Sequence, residues 1–99
     1  MTIYEYTTSL TVVGGAISSS TLPIRDGLLR QMIVRAGTDT TTFFVDLVND
    51  RNVTVINWGQ HVGELNDWDI TLPVQGPYTL NITNASVVDT FTINMGVQE

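Results

Sequence analysis

The sequence contains no cysteine and no lysine, and it is poor in charge of either sign. Without cysteine there is neither a disulfide nor a thiolate metal site, so burial and strand pairing must hold the fold together. Four arginines stand against ten acidic residues, and the resulting net charge of −6 gives no electrostatic basis for binding nucleic acid. Only 14% of the residues are charged, whereas about a quarter is usual, so we expect much of the surface to contact protein.

Catalytic signatures are also scarce. His61 is the single histidine, and its surroundings lack the strand–turn–helix context of a nucleophile. Asp67 and Asp69, with Glu64 nearby, offer fewer oxygen ligands than a calcium site needs. No glycine-rich loop leads into a helix, which argues against nucleotide binding. We therefore predict that the protein is not an enzyme and has no cofactor and no metal; a small hydrolase with paired carboxylates in a cleft remains the weaker reading.

What the chain does have is enough apolar character for one core. Hydrophobic residues make up 42% of the 99 residues, which fits a single globular domain over residues 1–99. The first residues lack the basic start and apolar run of a signal peptide, and no apolar stretch approaches the length of a membrane span. The expectation is therefore synthesis in the cytoplasm and no membrane partner.

Alternation of apolar and polar residues predicts strands throughout. The clearest signals are at residues 69–74, 78–83 and 89–95, which we interpret as three successive strands in a meander, the last two forming a hairpin. Residues 43–48 and 53–58 form another predicted hairpin around the turn at 49–52. A turn of helix is predicted only near residues 61–66.

Strand signals recur about every ten residues, which is typical of an all-β sandwich or barrel. We predict an all-β fold consisting of a single antiparallel β-sandwich, jelly-roll-like or immunoglobulin-like, with about seven or eight strands. Residues 28–36 have apolar residues at both odd and even positions, as in a strand that is central or covered on both faces. Residues 1–26 are interpreted either as an N-terminal arm or as an edge strand.

Gly59 and Gly63 on either side of His61 predict a loop that Trp58 and Trp68 flank. Trp58, His61 and Trp68 therefore form a candidate ligand loop. Tryptophan side chains near loops often serve as binding platforms or interface anchors. An equally simple interpretation is that both tryptophans cover the end of the sandwich.

Three segments resemble small β-sandwich virion structural proteins of tailed bacteriophages, of the capsid decoration or cement type. They are residues 27–34 (GLLRQMIV), 42–50 (TFFVDLVND) and 73–85 (PVQGPYTLNITNA). The resemblance implies a virion protein, made in the host cytoplasm, that stabilises the phage head by binding between major capsid protein subunits. It also implies association with copies of itself, with a homotrimer expected. The alternative is a carbohydrate- or receptor-binding module of a phage tail spike or fibre, in which the ligand loop contacts sugar.

Under this interpretation the candidate interface residues are Tyr4, Tyr6, Arg25, Arg30 and Arg35. Arginine suits bidentate pairing with carboxylates across an interface. Pairing of Arg30 or Arg35 within the chain, to Asp46 or Asp89, is the competing expectation. An edge strand near the N-terminus would in addition be able to extend the sheet of a neighbour.

Overall fold

The computed structural model describes residues 3–12, 17–22 and 26–98. They form nine β-strands: β1 Ile3–Val12, β2 Ile17–Thr21, β3 Asp26–Arg35, β4 Thr42–Val48, β5 Thr54–Val62, β6 Glu64–Asp67, β7 Leu72–Gln75, β8 Thr79–Thr83 and β9 Asp89–Gln98. All pairings are antiparallel, and the strands make two sheets. The prediction of an all-β antiparallel sandwich is confirmed, with nine strands where about seven or eight were expected. Within the described ranges, no helical segment has the length and hydropathy needed to cross a membrane.

The two sheets are built from strands distant in sequence. Sheet A has the order β1-β9-β3-β6, with β7 also pairing β3, and sheet B has the order β2-β8-β4-β5. Residues 28–36 were predicted to be a strand that is central or covered on both faces. Strand β3 is central in sheet A, because it pairs with β9 on one side and with β6 and β7 on the other. In the N-terminal part, β1 pairs with β9 along its whole length and β2 pairs with β8, so both lie at sheet edges.

The core fills the space between the sheets. Sheet B contributes Phe43 and Leu47 from β4, and sheet A contributes Phe91 and Met95 from β9, all of them fully buried. The rings of Phe43 and Phe91 meet edge to face, with centroids 4.8 Å apart at 73°. This arrangement is favoured by the ring quadrupoles and joins the two sheets near the middle of the core.

The predicted meander is wrong, although its strands exist. Of the three C-terminal strands, β7 pairs with β3, β8 pairs with β2 and β4, and β9 pairs with β1 and β3. Successive strands therefore alternate between the sheets and none of them pairs with the next. Alternation in sequence specifies which side of a strand is buried but not which strand lies beside it.

The predicted hairpin of β4 and β5 is confirmed. Its turn is held by the side chain of Asn49, whose Oδ1 accepts hydrogen bonds from the backbone N–H of Arg51 (2.9 Å) and Val53 (3.0 Å). Asn52 adopts the left-handed conformation that asparagine tolerates, with φ of 62°. The turn of helix predicted near residues 61–66 is wrong, because these residues belong to β5 and β6.

Gly63 is the point at which β5, the edge of sheet B, continues into β6, the edge of sheet A. Its φ is +75°, a conformation that bends the strand sharply. The N–H of Gly63 donates to the carbonyl of Thr41 and its carbonyl accepts from the N–H of Ala36, both at 2.8 Å. One edge of the sandwich is therefore spanned by a single bent chain.

Asp89 holds the loop that follows β3. Its Oδ2 accepts hydrogen bonds from the N–H of Thr38 (3.0 Å) and the hydroxyl of Thr41 (2.8 Å), and its Oδ1 accepts from the N–H of Thr90 (2.8 Å). Partial burial raises the pKa of the Asp89 carboxyl, but these hydrogen bonds, with one from Gly37, outweigh it and hold the pKa below its ordinary value.

Replacing Asp89 with asparagine is expected to lower the free energy of unfolding at neutral pH by about 1 to 2 kcal/mol, because an amide keeps only one acceptor oxygen and carries no charge, so the hydrogen bonds to this partly exposed side chain are reduced in number and strength. Since the pKa is depressed in the folded state, this stabilisation is present above the ordinary value of about 3.9 and is lost as the pH falls through the lower folded value. Urea titrations at pH 7 and pH 3 should therefore show a difference between wild type and variant that shrinks in acid.

Asp50→Asn, at an exposed turn position, is the matched control. It is expected to change the free energy of unfolding by less than about 0.5 kcal/mol at either pH. An Asp89→Asn effect no larger than that of Asp50→Asn, or one that persists undiminished in acid, would show that the Asp89 carboxylate does not hold this loop.

Candidate functional site

Two of the three residues of the predicted ligand loop lie in a strand. Trp58 and His61 lie within β5, and only Trp68 lies in a loop, directly after the last residue of β6. Gly59 and Gly63 were taken as loop residues. Gly59 instead lies within β5, beside a register shift opposite Val45 and Asp46 at which Trp58 is the extra residue, and Gly63 is the bend between β5 and β6.

Trp58 and Asp67 join the two sheets on the side where β5 and β6 run along the edges. The indole Nε1–H of Trp58 donates to Oδ2 of Asp67 at 2.9 Å. Trp58 is half-buried and packs against the core, and Asp67 is partly buried on the facing sheet. This contact gives a buried indole N–H the partner it requires and ties the edges together.

The segment after β6 is fixed at both ends. Asp67 Oδ1 accepts a hydrogen bond from the N–H of Asp69 at 3.1 Å, and the N–H of Ile70 donates to the carbonyl of Arg30 at 3.2 Å. Ile70 is itself buried. Trp68 stands between these fixed residues, so its backbone is held in place from both sides.

Trp68 itself points away from the core. Its side chain is 64% exposed, a large fraction for the largest apolar residue. We call the surface formed by Trp58, Asp67, Trp68 and Asp69 the tryptophan side. It is the candidate binding site.

His61 is engaged in packing and in a hydrogen bond. Its ring lies 6.4 Å from that of Phe43, and its Nε2 is 3.1 Å from the carbonyl oxygen of Trp58. His61 therefore contacts the backbone carbonyl of Trp58 within the same strand, β5. His61 is partly buried and lies beside Phe43, its partner in the pairing of β4 with β5.

The five predicted interface residues are dispersed. Tyr4 is 46% exposed on β1, whereas Tyr6, two residues further on, is half-buried against the core. Arg30 is half-buried where the pairing of β3 with β9 shifts register, and Arg25 lies outside the described residues. The four that the structure describes lie on two strands, β1 and β3, which are separated by β9.

Arg35 has a partner within the chain. Its Nη2 lies 3.0 Å from Oε1 of Glu64 on the adjacent strand β6, and both side chains are largely exposed. Neither Asp46 nor Asp89, the partners considered from sequence, takes this role. An exposed ion pair contributes about 0 to 1 kcal/mol to the free energy of unfolding, so the pair of Arg35 and Glu64 is weak.

Asp67 is the residue whose role sequence reasoning missed. It was considered only as one of several acidic residues that might bind a cation. Its position carried a usable signal, because an aspartate one residue before a tryptophan and three residues before an isoleucine that begins a strand pattern suggests a side chain that organises the turn. The contact with Trp58, nine residues away in sequence, depends on the pairing of both strands and was not predictable.

No family model matches the sequence, and no match to a curated protein is found. Among solved structures, the chain is similar to the crystal structure of FLHE, with a TM-score of 0.60, 13% identity and coverage of 98% of both chains. It is also matched by PliG of Aeromonas hydrophila, a periplasmic inhibitor of g-type lysozyme, with a TM-score of 0.47 and 17% identity over 95% of this chain and 85% of that chain. The likeness to FLHE concerns the fold alone.

The comparison with solved structures contradicts the interpretation as a phage protein. FLHE, which shares the fold over 98% of both chains, is not a virion component, so the assignments as a capsid decoration protein, as a tail module and to the virion are wrong. The physical reason lies in the matched segments, residues 27–34, 42–50 and 73–85. They supply strands and turns that any β-sandwich needs, and such features carry no information about assembly partners.

Proposed function

We propose that this chain is a non-catalytic binding domain that recognises a protein partner through Trp68. The observation that carries the proposal is the exposure of the Trp68 ring on a backbone fixed at both ends. A rigidly held aromatic residue loses little conformational freedom on binding, which is why tryptophan is frequent among residues that dominate interface energies.

The size of the ring supports a substantial contribution. Covering the exposed part of Trp68 would remove on the order of 150 Å² of mostly apolar surface from water. At about 25 cal/mol per Å², this corresponds to about 4 kcal/mol before the costs of association. A contribution of this size is what a central tryptophan supplies at a protein interface.

The absence of catalysis is part of the proposal. The chain has one histidine, and that side chain is occupied by the carbonyl of Trp58 and the ring of Phe43. Asp67 is likewise committed to Trp58 and to the backbone of Asp69. The polar groups nearest the tryptophan side thus stabilise it, which is the arrangement expected of a binding surface.

Trp68→Ala is expected to weaken binding to the partner by about 30-fold or more, corresponding to about 2 kcal/mol. The partner would first be identified by passing an extract of the native cells over immobilised wild type, Trp68→Ala and Phe44→Ala. Its affinity for each would then be measured by calorimetry with purified proteins. Trp68→Phe should retain part of the affinity, since a smaller aromatic ring keeps part of the contact.

Phe44→Ala is the matched control, because Phe44 is an exposed aromatic residue on the outer face of sheet B. It should bind the partner as wild type does. Two results would contradict the proposal. One is equal affinity of the partner for wild type and Trp68→Ala, and the other is an equal loss of affinity in Trp68→Ala and Phe44→Ala.

A further inference from the structure

The four edge positions of the two described sheets differ in how well they are protected against pairing with a strand of another chain. In sheet B, β2 has only five residues, and β5 carries two register shifts against β4. On one side of sheet A, β6 and β7 have four residues each, contain Glu64 and Pro73, and are separated by the segment that bears Trp68. Short strands, irregular pairing, charge and proline are the usual devices that prevent a free edge from pairing with another chain.

Strand β1, the other edge of sheet A, has only one of these devices, a single charge. It has ten residues, all paired with β9 without a register shift. It contains no proline and a single charge, Glu5. Among residues 3–12, 17–22 and 26–98, no strand pairs with its other side.

The sequence of β1 is complementary to itself in an antiparallel arrangement. With a two-fold axis at Thr8, Tyr6 lies opposite Leu10 of a second copy. An aromatic residue then faces an aliphatic one, which is a favourable cross-strand pair. Val12, which lies opposite Tyr4 in this register, is already buried in the single chain.

On the outer face of the same pairing, Glu5, the one charged residue of β1, does not lie opposite Glu5 of the second copy. Glu5 lies opposite Thr11, and Thr7 lies opposite Ser9, so the contacts are between hydroxyl groups or between a carboxylate and a hydroxyl. Like charges directly opposite would be destabilising, and this register has none. The face and charge pattern of β1 therefore suits a second copy of this chain.

We propose that the protein forms a two-fold dimer by antiparallel pairing of β1 with β1 of a second copy, which joins their A sheets. Such a contact uses the same surface on both copies, so no further copy can add to it and the assembly is a dimer. The resemblance, in contrast, implied a trimer. The tryptophan side lies along β5 and β6, and β6 is at the edge of sheet A opposite β1. The dimer therefore exposes two copies of Trp68 at its outer edges, which would add avidity for a repeated partner.

The test uses lysine at the centre of the proposed seam. In a Thr7→Lys, Ser9→Lys variant, each new lysine lies opposite a lysine of the other copy. Wild type is expected to be dimeric by light scattering and by sedimentation equilibrium. The variant should dissociate about a hundredfold more readily, because two close like-charge pairs oppose association.

A Thr90→Lys, Thr92→Lys variant is the matched control. Both positions are exposed on the outer face of β9, one strand further in, opposite Thr11 and Ser9 of β1. In the dimer the two copies of β9 lie about 14 Å apart, beyond the screening length of about 8 Å at physiological ionic strength. This variant should therefore remain dimeric. The two variants are matched in the contacts that they remove: Thr7→Lys removes one exposed hydrogen bond with Asn94, and Thr90→Lys removes one with Thr11.

Charge complementation separates loss of the dimer from loss of the fold. A Thr7→Glu, Ser9→Glu variant should be as monomeric as the lysine variant, and a mixture of the two should form a heterodimer, since each lysine then faces a glutamate. A monomeric wild type, an open polymer, or lysine and glutamate variants that stay apart when mixed would overturn the proposal. Trp68→Ala should dimerise as wild type does, so this inference and the proposed function fail independently.

Discussion

Phe43→Ala is expected to lower the free energy of unfolding by about 3 to 5 kcal/mol. Phe43 is fully buried, and its ring packs edge to face on that of Phe91 from the opposite sheet. Alanine would leave a cavity at the contact between the sheets, and a two-layer fold has little means of closing such a cavity. Because domains of this kind are stable by about 5 to 15 kcal/mol in total, the loss would be readily measured by urea titration.

The adjacent residue provides the control for this prediction. Phe44 is 38% exposed on the outer face of β4, and Phe44→Ala should cost less than about 1 kcal/mol. Side chains alternate between faces along a strand, so a pairing displaced by one residue would exchange the two positions. Equal losses, or a larger loss at Phe44, would mean that β4 has been assigned the wrong inner face.

Gly63→Ala is expected to lower the free energy of unfolding by about 2 to 5 kcal/mol. The left-handed conformation costs an alanine about 1 to 2 kcal/mol, and overpacking adds about 1 to 3 kcal/mol. A Cβ atom at Gly63 would lie 2.6 Å from the carbonyl oxygen of Asp39, which belongs to the backbone and has little room to retreat. Hydrogen bonds from Gly63 to Thr41 and from Ala36 to Gly63 hold the site on both sides.

Gly59→Ala separates the two contributions. Gly59 has nearly the same conformation, with φ of +74°, but a Cβ atom there would meet nothing within 4 Å. It should therefore show the conformational cost alone, about 1 to 2 kcal/mol. Thermal or urea unfolding of both variants would decide the matter: losses of equal size would exclude a steric clash at Gly63.

The prediction at Gly63 also bears on the tryptophan side. Gly63 joins β5, which carries Trp58, to β6, which ends at Asp67. A strained or displaced bend would alter the relation between these two residues and weaken the hydrogen bond of Trp58 to Asp67. Partner binding through Trp68 should then fall in Gly63→Ala more than in Gly59→Ala when both are compared at temperatures where they are folded.

The interpretation as a phage protein failed for a reason that applies beyond this chain. The segment at residues 73–85 was the most recognisable part of the resemblance, and in the structure it is β7, a turn at Gly76 and β8. Each feature has a physical cause within the fold: alternating burial on β8 and a positive φ of 79° at Gly76. A pattern explained by folding alone cannot specify what the folded protein binds.

Several properties were determined by the sequence alone. Period-two alternation, as in Leu80 and Ile82 of β8, identified most strands and their buried sides, because side-chain direction along a strand is local. The turn at residues 49–52 was equally local, since the side chain of Asn49 bonds to backbone groups two and four residues further on. Fold class followed from these local signals.

Only the tertiary structure decided which strands are neighbours and which edges are free. The alternation of β7, β8 and β9 between sheets, the contact of Trp58 with Asp67 and the free edge of β1 all depend on contacts between distant segments. The apolar pattern of a strand is satisfied equally by several partners, so its local sequence does not choose among them. The choice is made by packing the whole chain around one core, and both proposed binding surfaces arise from that choice.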